Sequence, residues 1–318
     1  MAEQDWVPTE ITRPCLEGLV RQGFMTPAEF AKCGVPKDLS SPNPSGVGGY
    51  VVVFKAFYER GFGVPSHRFL RSLLEYYGLE LNHLTPAGIL QIAAFVTLCE
   101  AYLGIEPHFD LWRYFFTIRG SEKKELAVVG GAVIRLRTKT DMDSYLPSQA
   151  ADSMKGWRKH WFLMRNDDSA LPVFTGRRPI PKHNWPYGPP AKDQGRLAPV
   201  RTEVQKLRAA GLTVEHLLQT FFSRRVQPLR ARHHLMSEYP GPADPDRPSV
   251  EELDEGEVVA RIRLALFRTS DPDIGPGPEP LRLGVANNTV SHSRFRVFAF
   301  SFASIVPSRL LRSCVPRG

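Results

Sequence analysis

The stretch from Ile89 to Ile105, ILQIAAFVTLCEAYLGI, limits what this chain can fold into more than any other part of it. Ile89, Ile92, Ala93, Val96, Cys99 and Leu103 recur at three- and four-residue spacing and form one stripe of a helix. Leu90, Ala94, Leu98 and Ala101 make the opposite side apolar as well. A helix that is apolar nearly all round belongs in the middle of a domain or in a membrane. A membrane span needs about 20 predominantly apolar residues, and this run is interrupted by Gln91, Thr97 and Glu100. It is therefore read as the buried central helix of a water-soluble domain.

The flanking residues supply partners for such a helix. Phe69, Leu70, Leu73, Leu74 and Tyr77 share one face of a helix expected over residues 67–77, with Ser66 as its N-cap and Gly78 as its left-handed stop. Thr85-Pro86 starts the central helix and Gly104 ends it. Pro107 opens a third helix, with Leu111, Trp112, Phe115 and Phe116 facing inward. Leu73, Ile92, Val96, Trp112 and Phe115 are the expected core. Further upstream, Thr26-Pro27-Ala28-Glu29 reads as a capping box.

After Gly120 the periodicity changes. Residues 126–129 and 132–137 read as two strands about Gly130-Gly131, and 157–165 alternates with Trp157 and Trp161 on one side. The fold class is thus α+β and mostly helical, with a small antiparallel sheet packed on the helices. The 28 prolines are nearly twice the usual share of roughly 5%, and they cluster. Residues 171–200 contain Pro172, Pro179, Pro181, Pro186, Pro189, Pro190 and Pro199 and read as an extended linker or long surface arm. The expected organisation is an N-terminal helix and loop segment over 1–49, a compact domain over 50–170, the linker over 171–200, a helical part over 201–270, and a disordered or divergent tail over 271–318. In the helical part, Thr213 caps one helix, and Ser249 with Glu252 forms a second capping box.

No catalytic constellation is visible. The candidate acids for metal-dependent phosphoryl transfer are Asp110, Asp141, Asp143, Asp167 and Asp168, but most sit in turn-like surroundings and lack a third converging acid. Gly46-Val47-Gly48-Gly49 lacks the strand, lysine and hydroxyl of a phosphate loop. Cys15, Cys33, Cys99 and Cys314 have no metal-ligand spacing and read as reduced thiols in an intracellular setting. His83 and His108 flank the central helix. They read as helix-end residues in preference to metal ligands, and His233-His234 has no partner cysteines. Glu100, on the buried helix, needs a partner, and Arg113 on the next helix is the expected one. No cofactor, metal or membrane anchor is called for, and the acidic, polar Met1–Thr9 is not a signal peptide. A nuclear or cytoplasmic location is expected.

The remaining signal is basic. The formal net charge is +8, which suits either an anionic partner or a solvated surface. Arg135, Arg137 and Lys139 form one basic segment, and Arg158, Lys159 and His160 another among aromatics. Arg177, Arg178, Lys182 and His183 lie beside Trp185 and Tyr187, and Arg224, Arg225, Arg230 and Arg232 follow a helix. Arginine contacts phosphate and exposed aromatics stack on bases. Arg177, Arg178, Lys182, Arg224, Arg225, Arg230 and Arg232 are the candidate nucleic-acid contacts, while Trp157 and Trp161 are assigned to the core.

Several linked motifs carry a family resemblance. They are Tyr76-Tyr77-Gly78-Leu79-Glu80-Leu81, Asn82-His83-Leu84-Thr85-Pro86, Leu98-Cys99-Glu100-Ala101-Tyr102-Leu103-Gly104 and Pro107-His108-Phe109-Asp110-Leu111-Trp112-Arg113. In order and spacing they resemble the plant "putative transposase, gypsy type" domain over roughly residues 50–165, with Gly156-Trp157-Arg158-Lys159-His160-Trp161-Phe162 similar to its continuation. The resemblance implies a protein derived from, or encoded by, a long-terminal-repeat retroelement. It transfers no catalytic residue. The expected function is a non-enzymatic, Gag-like protein that binds nucleic acid, self-assembles or binds other proteins. A nucleic-acid-processing enzyme and a degenerate product without activity stay open as alternatives.

Overall fold

The computed structural model describes residues 6–36, 40–43, 49–121, 126–137, 145–148, 154–167, 171–222 and 235–237. Among these, α1 is Arg13–Arg21, α2 Pro27–Lys32, β1 Cys33–Gly34, β2 Tyr50–Phe54, α3 Lys55–Tyr58, α4 Arg68–Tyr77 and α5 Pro86–Thr97. Then follow α6 Phe109–Phe115, β3 Phe116–Gly120, β4 Ala132–Leu136, β5 Trp161–Arg165, α7 Ala191–Ala209 and α8 Val214–Phe222. The architecture is α+β, with the helices gathered around α5.

The centre is the apolar helix. α5 continues as a wider π-helical turn over Leu98–Leu103 and stops at Gly104, whose φ is +65°. Pro86–Leu103 is long and apolar enough, by length and composition, to cross a membrane. Here its apolar side chains meet protein instead: α3, α8 and β4 all pack on α5. Leu73, Ile92, Val96, Trp112 and Phe115 are buried. Trp112 stacks on Phe116 at 4.1 Å between ring centroids and meets Phe95 edge-on at 5.3 Å. Aromatic contacts of this kind add about 1 kcal/mol each beyond the area they bury.

Local capping chemistry sets the helix starts. Thr26 Oγ1 accepts from Glu29 N while a Glu29 carboxylate oxygen accepts from Thr26 N, closing the capping box. Thr85 Oγ1 accepts from Gly88 N, and Gly78 ends α4 with a φ of +65°. At the start of α4 the expected cap is corrected. His67, not Ser66, caps it: His67 Nδ1 accepts from Phe69 N at 3.1 Å. Ser66 is occupied otherwise, in an antiparallel bridge to Ser237 that brings Met236 O to His67 N. The third helix begins at Phe109 behind a His108 cap and ends at Phe115, because the β-prone Phe116-Thr117-Ile118 enters a strand.

The antiparallel pairing differs from the expectation at one point. β5 lies between β1 and β2, with Val52 opposite Leu163 and Phe54 opposite Trp161. β4 pairs with β3, Ile134 facing Ile118, and not with residues 126–129. Ala127, Val128 and Val129 are buried as core filling without being a strand. Their backbone is claimed elsewhere: Val128 O accepts from Asn82 Nδ2, and Gly130 N donates to Asn82 O, both at 2.9 Å. The turn is so tight that a Cβ on Gly131 would stand 2.1 Å from Ala127 O.

Residues 171–200, expected as a linker or arm, do not separate two bodies. Leu171, Phe174 and Trp185 are buried, and residues 191–200 are the first half of α7, whose Leu197 and Val204 enter the same core as α5. α6 packs on α7 and α5 on α8. The expected second capping box and the tail after residue 271 lie outside the described residues.

Candidate nucleic-acid interface

Residues 171–190 run over the domain without regular secondary structure. An extended, proline-rich backbone has no regular hydrogen-bond ladder of its own, so most of its carbonyls are open to tertiary donors. His83 Nε2 lies 3.0 Å from Arg177 O. Trp185 O accepts from Ile118 N and from Thr117 Oγ1 at 3.2 and 3.1 Å. Pro186 O accepts from Arg137 Nη1 at 2.6 Å, and Gly188 O from Arg113 Nη2 at 2.7 Å. In return, Trp185 Nε1 donates to Tyr77 O at the end of α4. The prolines therefore mark a docked arm.

Two of the arm's three candidate cations are exposed. Arg177 and Lys182 are exposed and Arg178 is half-buried. The Lys182 stem lies across Gly78, where a Cβ would come within 2.4 Å of it. Its ammonium thereby sits at the carbonyl end of α4, a favourable place for positive charge. Tyr187 is 61% exposed and His183 lies beside it, 6.4 Å between ring centroids. Arg224, Arg225, Arg230 and Arg232, like Lys139, lie outside the described residues.

Next to the arm is a second basic group that was only partly visible in the sequence. Arg119 and Arg135 are exposed on the β3–β4 ribbon. Arg137 follows β4 and is fixed by its bonds to Arg113 O and Pro186 O. Burial lowers the Arg137 pKa first of all, and the neighbouring Arg113 and Arg119 charges lower it further. Arg119 was missed because a lone arginine before Gly120 carries no motif. The alternation of Thr117, Ile118 and Arg119 was its available signal.

The acids and histidines are engaged in structural bonds. Asp110 pairs with Arg113 at 3.2 Å, and Asp167 with Arg165 and Lys32 at 2.6 and 3.2 Å. Asp141, Asp143 and Asp168 lie outside the described residues. Glu100 meets His67 Nε2 at 3.0 Å, not the expected Arg113. Glu100 lies in the π-helical turn, on the side that faces the start of α4. Arg113 instead reaches Asp110, Gly188 O and the face of Tyr76. His108 Nδ1 caps α6, while His83 Nδ1 accepts from Glu80 N. The His83 proton is therefore on Nε2, donated to Arg177 O, and burial pushes its pKa down to about 4. Glu80 accepts from Thr175 N and Thr175 Oγ1, tying the start of the arm down.

Two other sequence features resolve as packing. Trp161 is buried and donates from Nε1 to Val7 O, while Trp157 is half-buried and packs on Phe54 and Phe57. Arg158 covers the Trp157 ring and Lys159 pairs with Glu10. Cys15, Cys33 and Cys99 form no disulfide among the described residues, and burial raises the Cys33 and Cys99 pKa to about 12.

This geometry defines a helical core carrying a docked basic arm. Residues 51–120, from β2 to the end of β3, match the family model described as "Putative gypsy type transposon". This is the family that the linked motifs of residues 69–118 resemble. The match covers the core helices and stops before β4, β5 and the arm. No curated protein and no solved structure matches the chain.

Proposed function

We propose that this is a non-enzymatic, retroelement-derived protein that binds nucleic acid through its basic segments. The observation that carries this reading is the docked arm. Four carbonyls spread along the arm, those of Arg177, Trp185, Pro186 and Gly188, hold its backbone against the core. Arg177 and Lys182 meanwhile stay exposed. Cations on a fixed backbone contact phosphates with less ordering cost than cations on a flexible tether. The non-enzymatic part is supported by the use of Asp110, Asp167, Glu80 and Glu100 in ion pairs and hydrogen bonds of the fold.

The salt dependence of affinity tests this. Each phosphate neutralised contributes roughly 0.7 to 0.9 to the slope of log affinity against log salt. Changing Arg177, Arg178 and Lys182 to alanine should lower that slope by about 2. The same change at Arg224, Arg225, Arg230 and Arg232 should lower it by about 3. Absence of saturable binding at low salt would reject the nucleic-acid reading and leave self-assembly or a protein partner. Strand transfer or nuclease activity with Mg²⁺ or Mn²⁺ that vanishes on Asp110→Ala or Asp141→Ala would reject the non-enzymatic one.

A further inference from the structure

The β3–β4 ribbon and the turn at Tyr187 together make a surface with two kinds of recognition group. In the ribbon, Thr117 faces Arg135 and Arg119 faces Val133. Side chains alternate across a strand, so Arg119 and Arg135 lie on one face at diagonal positions, about 7–8 Å apart between their Cα atoms. Ile118 and Ile134 occupy the other face and are buried. Among the described residues, neither Arg119 nor Arg135 forms an ion pair. Arg137, two positions along from Arg135, adds a third guanidinium, held by Arg113 O and Pro186 O. Among the described residues the two exposed arginines of this face have no paired acid, and such a face attracts anions.

Tyr187 sits beside it on a rigid mount. The carbonyl before it, Pro186 O, is held by Arg137, and the carbonyl after it, Gly188 O, by Arg113. Tyr187 N donates to Asn184 O at 3.3 Å, closing a turn. Asn184 Nδ2 in turn donates to Tyr76 O at 2.8 Å. The backbone is thus pinned on both sides while the ring is 61% exposed. An aromatic held out in solvent on a fixed backbone has lost little freedom that binding would otherwise remove. The guanidinium that fixes the mount also belongs to the basic face, which places ring and cations side by side.

We propose that this surface binds single-stranded nucleic acid, with phosphates on Arg119 and Arg135 and one unpaired base stacked on Tyr187. This rests on the nucleic-acid reading above and specifies its strand class and contact residues. A duplex fits less well for two reasons. Its bases are stacked on each other and offer no open face to Tyr187. A β-ribbon that reads a major groove must also project into it, whereas this ribbon is packed on α5 through β4 and flanked by the arm along β3.

The test uses the full chain and fluorescence anisotropy with labelled DNA and RNA oligonucleotides, single-stranded and as duplexes of equal length. A matching single strand of abasic sites completes the set. Single strands should bind more tightly than duplexes. Tyr187→Ala should weaken single-strand binding about thirtyfold, the middle of the range for one base on an aromatic ring. Tyr187→Phe should keep it, and the abasic strand should bind wild type and Tyr187→Ala alike. The double variant Arg119→Ala, Arg135→Ala should lower the salt slope by about 1.4. Far-UV circular dichroism checks that each variant is folded. Undiminished binding by both the Tyr187→Ala and the double-arginine variants, or equal affinity for duplex, overturns this inference while leaving the arm's role standing. No binding of any strand at low salt overturns both.

Discussion

Replacing Trp185 with alanine separates a docked arm from a tether. The indole is 2% exposed in the described structure. Its Nε1 donates to Tyr77 O at 3.0 Å and so satisfies a carbonyl that the end of α4 leaves without an intrahelical partner. The residue's own carbonyl receives two bonds from β3, and these backbone bonds survive the substitution. The loss is therefore the buried indole and its one hydrogen bond. Trp→Ala changes in cores cost about 3–5 kcal/mol, against a total of roughly 5–15 kcal/mol for a typical domain. Trp185→Phe keeps most of the apolar contact and loses the donor, for about 1–2 kcal/mol. Urea unfolding followed by far-UV circular dichroism measures both, with an unchanged slope needed to read midpoints as stabilities. The expected order is wild type, Trp185→Phe, then Trp185→Ala. A Trp185→Ala variant within 0.5 kcal/mol of wild type, roughly what a surface substitution costs, would refute the docked arm and restore a flexible linker.

Other perturbations address the core, the turn and pH. Trp112→Ala, which removes the ring stacked on Phe116, should cost about 3–5 kcal/mol; thermal denaturation unchanged from wild type would contradict the core assignment. Gly131→Ala should cost more than the roughly 1 kcal/mol typical of point changes, because the new Cβ meets Ala127 O at 2.1 Å, and urea midpoints would show it. Burial raises the Glu29 pKa from 4.5 to about 7 despite its bonds to Thr26 and Val64. The folded state then holds the Glu29 proton more tightly, so its stabilisation is full below pH 4.5 and is lost by pH 7, an order of 3 kcal/mol. His83 runs the other way: its pKa falls from 6.5 to about 4, so its contribution is full above pH 6.5 and is lost toward pH 4. The two slopes oppose each other between pH 4.5 and 6.5. Glu29→Gln should make stability rise with pH across that window and His83→Gln should make it fall, as read from urea midpoints; identical profiles for the two variants would refute both assignments.

What the sequence determined by itself was mainly local. Thr26 with Glu29, Thr85 before Pro86, and Gly78 and Gly104 in the left-handed conformation act within one helical turn of the residues that they start or stop. The all-round apolarity of residues 89–103 likewise dictated a central helix, since no other place in a folded domain covers every side of it. The tertiary structure decided the rest wherever a backbone or charged group had to choose among distant partners. Val128 and Gly130 had strand-like neighbours, but Asn82 took their hydrogen bonds, and β4 went to β3. Glu100, in the π-helical turn, found His67 at the start of α4, a partner that spacing along the sequence does not specify. The arm is the largest case. Proline density reveals that residues 171–190 lack the ladders of regular secondary structure, but not that His83, Thr117, Ile118, Arg113 and Arg137 stand ready to donate to them. The same carbonyls would be satisfied by water on a free linker. Only the convergence of four separate elements on one path, together with a core position for Trp185, makes the docked state the lower in free energy.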